Sequence, residues 1–337
     1  MHAEHPDSEW LRGVEANLAE WLDEPTTNPT SQLTAGGAIE RGEALLSGMH
    51  GDRPTLLMPS ATYALWVVLR ALGVGQDDEV LIPQYDWTSS LAVVLALGAK
   101  PVVVPADPAT LTIDPAQAAA RRTARTRALV ATHLFGIPAD IPALQNALPR
   151  VPIIEDCAQA LGSTLDGLPV GSLADAAIFS FGPGKTIDVG ELGALVLRDS
   201  DLHRHAVLES AHPIRQQLSG IVTPSPTGLS VRPHPLAAVL LYVALKHFDT
   251  DATAQDRRRT QAYLSLNHSP IHTYGSDGRR EIASPCVMFE PEIATDKGLA
   301  QYTTYREVAD IESVRSGNPK HRRVGALRVA RELVGVR

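Results

Sequence analysis

The stretch PIIEDCAQALGSTLDGLPVGSLADAAIFSFGPGK, residues 152–185, decides how this chain is read. It begins inside an apolar, β-branched run, Val151 to Glu155, that stops at a second acid, Asp156. It closes with another run, Ala177-Ile178-Phe179-Ser180-Phe181, that leads into the glycine-bracketed turn Gly182-Pro183-Gly184-Lys185. Short apolar runs bounded by turn residues read as strands buried on both faces. An aspartate and a lysine are thus presented from the ends of two buried strands.

The same punctuation extends outward from Thr55 to Leu197. Strands are expected at Thr55 to Met58, Glu79 to Pro83, Pro101 to Pro105, Ala128 to Leu134, Pro152 to Glu155, Ala177 to Phe181 and Gly193 to Leu197. Helical patterns fall between the early ones, at Thr62 to Leu72, Ser89 to Leu97, Pro115 to Arg125 and Ile141 to Leu148. Strands separated by helices imply crossover connections, hence an α/β fold with a mainly parallel sheet covered on both faces. Ligands of such sheets bind beyond the carboxyl ends of the strands, and Ser60, Trp87, His133, Asp156 and Lys185 all fall at those ends.

The flanks differ in composition. An arm before Thr55 carries helical patterns at Ser8 to Leu22 and Ala38 to Leu46. After Leu197, helical patterns run over Asp201 to Leu218, Leu236 to Phe248 and Thr253 to Leu266, interrupted by the proline-rich loop Thr223 to Pro235. The expected division is an N-terminal arm, 1–54, a large domain, 55–230, and a small C-terminal domain, 231–337, with one legible strand at Cys286 to Glu290.

Bulk properties narrow the class. The 337 residues are 44% apolar and 20% charged, enough for one large domain with a smaller one attached. No apolar run approaches the ~20 residues of a membrane span, and the start MHAEHPDSEW lacks a signal-peptide pattern, so a cytoplasmic protein without a membrane partner is expected. Cys157 and Cys286 lack disulfide-framework and metal-ligand spacing. A net charge of -8 argues against a nucleic-acid partner, and the basic end from Lys320 to Arg337 reads as a solvated face.

Several motifs are excluded on spacing. "GKT" at Gly184 to Thr186 would need a glycine at position 179, which is Phe179. Asp78 stands where a dinucleotide fingerprint after Gly73 and Gly75 needs its third glycine. No HExxH pair or Gly-x-Ser-x-Gly elbow occurs, and no metal site is expected. What remains suits pyridoxal phosphate: an amine able to form a Schiff base, and a carboxylate able to keep a pyridine nitrogen protonated.

Four segments carry a resemblance, in order and at matching distances: MPSATYALWVVLRALGVGQDDEVLIPQYDW, TRALVATHLFGIPADIPAL, PIIEDCAQALGSTLDGLPVGSLADAAIFSF and GKTIDVGELGALVL. Together they resemble the DegT/StrS-type sugar aminotransferases, from about Leu33 to Ala238. The resemblance implies the pyridoxal phosphate-dependent transferase fold of type I, a three-layer α/β/α large domain with a shortened α/β C-terminal domain. It also implies roles. Lys185 would carry the Schiff base and move protons, and Asp156 would hold the ring nitrogen. Gln159 would meet the ring hydroxyl, and Trp87 would stack on the ring. Ser60, Ala61, Thr62 and Ser180 would bind the phosphate. Ser230, in Gly228-Leu229-Ser230-Val231-Arg232, stands where the family places an asparagine that reaches the neighbouring subunit's phosphate. Ala61 replaces a glycine usual in its turn.

The implied reaction transfers an amino group from glutamate or glutamine to a keto-sugar, nucleotide-linked or free, or to a keto-cyclitol, in a homodimer with shared sites. Another pyridoxal phosphate reaction on the same shell (dehydration, decarboxylation or carbon-carbon bond formation) and a non-catalytic regulatory descendant stay open at this point.

Overall fold

The computed structural model describes residues 8–22, 31–226, 228–255, 257–258, 278–284, 287–289, 302–306 and 323–327. Seven of its strands form a mixed, mostly parallel sheet: β1 (Thr55–Met58), β2 (Glu79–Pro83), β3 (Lys100–Val104), β4 (Thr126–Thr132), β5 (Ile153–Asp156), and, after the short β6 (Thr164–Leu165) and β7 (Leu168–Pro169), β8 (Ala176–Ser180) and β9 (Gly193–Leu197). Contacts group the chain into two compact units, one of residues up to Gly73 with Ala176–Phe248, the other of Val74–Asp175 with the residues after it from Asp249.

In the second unit β4 lies between β2 and β5, and β3 flanks β2, all in parallel register. Every residue of β2 and β5 is buried, and the connecting helices cover the sheet, as the unbroken apolar runs anticipated. The hairpin of β6 and β7 turns through Asp166 and Gly167, both at positive φ, and pairs with β10 (Arg280–Glu281). An Asp-Gly pair between two short runs is the signal for such a turn. Farther along, β11 (Val287–Phe289), β12 (Tyr302–Arg306) and β13 (Arg323–Leu327) form an antiparallel sheet with β13 central. The strand expected at Cys286 to Glu290 is therefore seen at its core. Its two end residues, the helical pattern beyond Arg258 and most of the basic end lie outside the described residues.

In the first unit β9 pairs antiparallel with both β1 and β8. Glu43, on the helix Ala38–Met49, accepts the Leu57 amide of β1 at 2.7 Å and two bonds from Arg215 at 2.9 Å. A side chain thus satisfies backbone that β1, an edge strand, would leave unpaired. The pattern read as one helix over Asp201 to Leu218 is two, Ser200–Ser210 and Pro213–Leu218. Proline 213 cannot donate to the turn before it, and it pushes His212 out of the helical region.

Gly193 sets the tightest contact. A Cβ there would lie 2.3 Å from the Ser60 carbonyl carbon and 2.4 Å from the Ala61 nitrogen. Gly193→Ala is therefore expected to destabilise by about 1–3 kcal/mol or more, read as a lowered urea midpoint.

A buried knot fixes the end of β5. Glu155, fully buried, accepts hydrogen bonds from His133 Nε2 at 3.0 Å and from the amides of Gly171, Leu173 and Ala174 at 2.8–2.9 Å. Burial raises the Glu155 pKa, but these donors outweigh it and hold the carboxyl below its ordinary value. A depressed pKa means that this stabilisation is complete above the unfolded carboxylate value and is lost only as pH falls through the lower, folded one. Glu155→Ala should cost about 3–5 kcal/mol in denaturant unfolding near neutral pH, because His133 would be buried without its partner.

Candidate active site

The parallel strands of the second unit deliver Asp86 and Trp87 after β2, Thr132 at the end of β4 with His133 after it, and Asp156 at the end of β5. All leave the sheet from its carboxyl edge, where a ligand is expected. Trp87 is the N-cap residue of the helix Thr88–Ala96 and is 59% exposed. A tryptophan bare to that degree beside buried acids offers an open face for stacking. Asp156 is 4% exposed, and its Oδ1 accepts the Ala158 amide at 2.9 Å. Gln159 Oε1 accepts the Phe135 amide at 2.7 Å, which fixes the nitrogen as the donor end of the carboxamide. It also pins a strained residue, since Phe135 sits at φ 53°.

His133 does not serve the site. It is wholly buried, its Nε2 donates to Glu155, and its Nδ1 accepts the Ala139 amide at 2.9 Å. His133, Glu155 and Cys157 bring three metal-capable atoms within 4.8 Å of one another, but the imidazole nitrogens are both used and burial pushes the Cys157 thiol well above its ordinary pKa. The cluster is a hydrogen-bond knot, and Cys157 is a packed thiol.

In the first unit, Ser60 is the N-cap of the helix Ala61–Ala71, its hydroxyl accepting the Tyr63 amide at 3.3 Å. The first amides of this helix, flanked by the exposed Thr62, make an anion-binding end of the kind that suits a phosphate. Ala61 lies in the helix at negative φ, so the glycine it replaces is not required there. Ser180 and Met58 both register with Gly193, which brings Ser180 and the Ser60 turn to the same end of the three strands.

Lys185 is half-buried in the loop that joins β8 to β9. Its amide donates to the Gly182 carbonyl at 3.2 Å, and the loop is closed by Val189 N to Phe181 O at 3.0 Å. Asp188, missed in the sequence reading, braces it: Oδ2 accepts the Gly184 amide at 3.0 Å and Oδ1 the Gly190 amide at 2.9 Å. An aspartate two residues before a glycine in a turn was the available signal.

Ser230 occupies a left-handed conformation, φ 49°, in a segment tied down by Leu229 N to Glu209 O and Val231 N to Ser210 O. Gly228 beside it admits no side chain, since a Cβ would lie 2.8 Å from the Leu208 carbonyl oxygen. Arg232 is exposed. Asparagine tolerates the left-handed region better than serine. Ser230→Asn should therefore stabilise the protein by up to about 1 kcal/mol, read as a raised urea midpoint.

The residues fit a pyridoxal phosphate on two observations. Asp86 Oδ2 is buried without a hydrogen-bond partner close to a second acid, Asp156, a charge arrangement that a cationic ring nitrogen complements. The close-packed Ser60–Gly193 junction holds a helix N-terminus open to an anion.

Residues 24–274 match the DegT/DnrJ/EryC1/StrS aminotransferase family. An L-glutamine:2-deoxy-scyllo-inosose aminotransferase of Streptomyces lividus is 38% identical over 61% of this chain, which spans 50% of that protein's length. A pleiotropic regulatory protein of Geobacillus stearothermophilus is 30% identical over 77% of this chain and 68% of its own. Among solved structures, that of S. venezuelae DesV superposes with a TM-score of 0.80 at 27% identity, covering 97% of this chain and 92% of the other. With the family matched over most of this chain's 337 residues and the expected sheet in place, this chain belongs to the DegT/DnrJ/EryC1/StrS aminotransferase family.

Proposed function

We propose that the protein is a pyridoxal phosphate-dependent aminotransferase that takes an amino group from glutamine or glutamate and gives it to the ketone of a cyclitol or sugar. The observation that carries the reading is the pairing of family membership with a buried aspartate, Asp156, at the end of β5 and a lysine, Lys185, in the braced loop after β8. The glutamine donor and the cyclitol acceptor are supported by the Streptomyces lividus relative, whose name states both. In this proposal residues 55–230 hold the cofactor, 1–54 form an arm, 231–337 form a small domain, and two copies make the working dimer.

Each residue has a defined task. Bound pyridoxal phosphate supplies an electron sink that stabilises negative charge on the substrate carbon. Asp156, dry and fixed by the Ala158 amide, keeps the ring nitrogen protonated. Trp87 covers one ring face and excludes water from it. The Gln159 amide donates to the ring hydroxyl. The Ser60 turn, Thr62 and Ser180 hold the phosphate, and Ser230 contributes from the partner subunit. The Lys185 amine takes a proton from the donor's α-carbon and returns it on the cofactor side, which requires a neutral amine. The Asp188 brace keeps that amine from wandering with its glycine-rich loop.

A second reading, a regulatory homologue without turnover, is favoured by the match to the Geobacillus stearothermophilus protein. One experiment separates the two. Purified protein loaded with pyridoxal phosphate and given L-glutamine should convert the cofactor to its amine form, seen as loss of the visible band. Lys185→Ala should lower the rate of that half-reaction by about 10²–10⁴-fold or more while the protein stays folded. A visible band that glutamine and glutamate leave untouched would sink the transaminase reading.

A further inference from the structure

Asp86 has no task in the reaction above, yet it is the most unusual acid among the described residues. It is 4% exposed, between β2 and Trp87. Its Oδ1 accepts the Thr132 hydroxyl at 3.0 Å and the Trp87 amide at 2.8 Å. Its Oδ2 is buried without a hydrogen-bond partner, and so is Ser90 Oγ, whose hydroxyl is close enough to the carboxyl to favour its charged form. Thr132 and Asp156 are register partners in the parallel pair of β4 and β5, so their side chains share a face of the sheet. Asp86, bonded to Thr132, is thereby held beside Asp156.

Two carboxylates in a dry site cannot both stay ionised cheaply. Each acid accepts a backbone amide on its Oδ1, but Asp86 Oδ2 is buried without a hydrogen-bond partner, whereas neither oxygen of Asp156 is left in that state, so Asp86 is the acid that takes the proton. A proton on Asp86 Oδ2 removes that defect. We propose that Asp86 is a proton-bearing positioning partner of Asp156, a neutral acid until a ring with a cationic nitrogen docks, at which point it ionises.

The step balances. The Asp86 O–H bond breaks, its electron pair stays on Oδ2, and the proton leaves to water, while the ring N–H is unchanged. The acid pair carries one negative charge before docking. Afterwards two carboxylates face one cation, so the net charge at the site is the same in both states. Desolvation first, then the Asp156 charge, pushes the Asp86 pKa up to about 7 against the pull of the Ser90 and Thr132 hydroxyls and the Trp87 amide. Of the groups facing it, Asp156 is ionisable and the other three are not.

The docking half of this inference rests on the proposed cofactor, and the acid pair does not, so the test has two arms. In the apoprotein, a raised folded pKa means that stability is fully present below the unfolded aspartate value and is lost as pH rises toward the folded one. The folding constant of wild type relative to Asp86→Asn should therefore fall by up to about tenfold per pH unit between about 4 and 7, then level off. Thr132→Val, which removes a donor to the carboxylate, should move that window upward, a response that a merely structural acid would not give. In the second arm, pyridoxal 5′-phosphate is added to apoprotein at pH 6 in weak buffer with a pH indicator. Wild type should release about one proton more per subunit than Asp86→Asn. A flat stability ratio overturns the acid pair, and equal proton counts overturn the ionisation on docking. Protein that takes up no pyridoxal phosphate overturns the docking step together with the proposed function, while the apoprotein titration still decides the pair.

Discussion

The end of β5 depends on one carboxylate that water never reaches. Glu155 must be met by donors or protonated, and the four that meet it come from His133 just after β4 and from three amides in the segment before β8. The bonds tie two other stretches of chain, His133 and residues 171–174, to the same pair of oxygens, so the last residue of β5 has little freedom. That residue is Asp156. Because side chains alternate along a strand, the consecutive acids Glu155 and Asp156 point to opposite faces: the scaffold consumes Glu155 on one, and Asp156 shares the other with Thr132.

The first unit has a different constraint of its own. Backbone passes so close to backbone at Gly193 and Ser60 that only hydrogen fits between them. The helix Ala61–Ala71 therefore starts at a fixed height against β9, and Ser180, in register with Gly193, is fixed relative to it. Rigid strands position these groups, while Lys185 rides a loop. Such a loop needs its own brace, and Asp188 supplies it through two amides rather than through packing.

What the sequence made legible follows from where the physics is local. Strands buried on both faces are unbroken apolar runs, and β1, β2 and β9 begin and end where their runs do. The acid after β5 and the lysine after β8 were visible because turn residues mark strand ends. Elements defined by pairing across long separations were not. The hairpin of β6 and β7 has two-residue strands whose partner, β10, lies more than a hundred residues away in sequence, and nothing local announces that pairing. The Glu155 knot was hidden for the same reason, since its donors are 16 to 22 residues distant and mostly backbone. An acid inside the run Ile153-Ile154-Glu155 was the one clue. Helix breaks were misjudged where a proline sat inside an otherwise periodic stretch, as at Pro213, and the proline rule alone would have corrected it.

Saturation separates scaffold from site more sharply than burial does. Glu155 and Asp86 are both almost fully hidden and both flank the carboxyl ends of parallel strands. Every lone-pair direction of Glu155 that the fold can reach is filled, and its partner His133 has both nitrogens engaged, so neither has capacity left for a ligand. Asp86 keeps a buried oxygen without a hydrogen-bond partner, near a second acid and next to the exposed Trp87. A fold tolerates such a deficit only where something else completes it, because an unmet buried acceptor costs about 1–3 kcal/mol and more when charged. The same test reassigns His133, which position alone placed with the site, and admits Asp86, which no motif had marked.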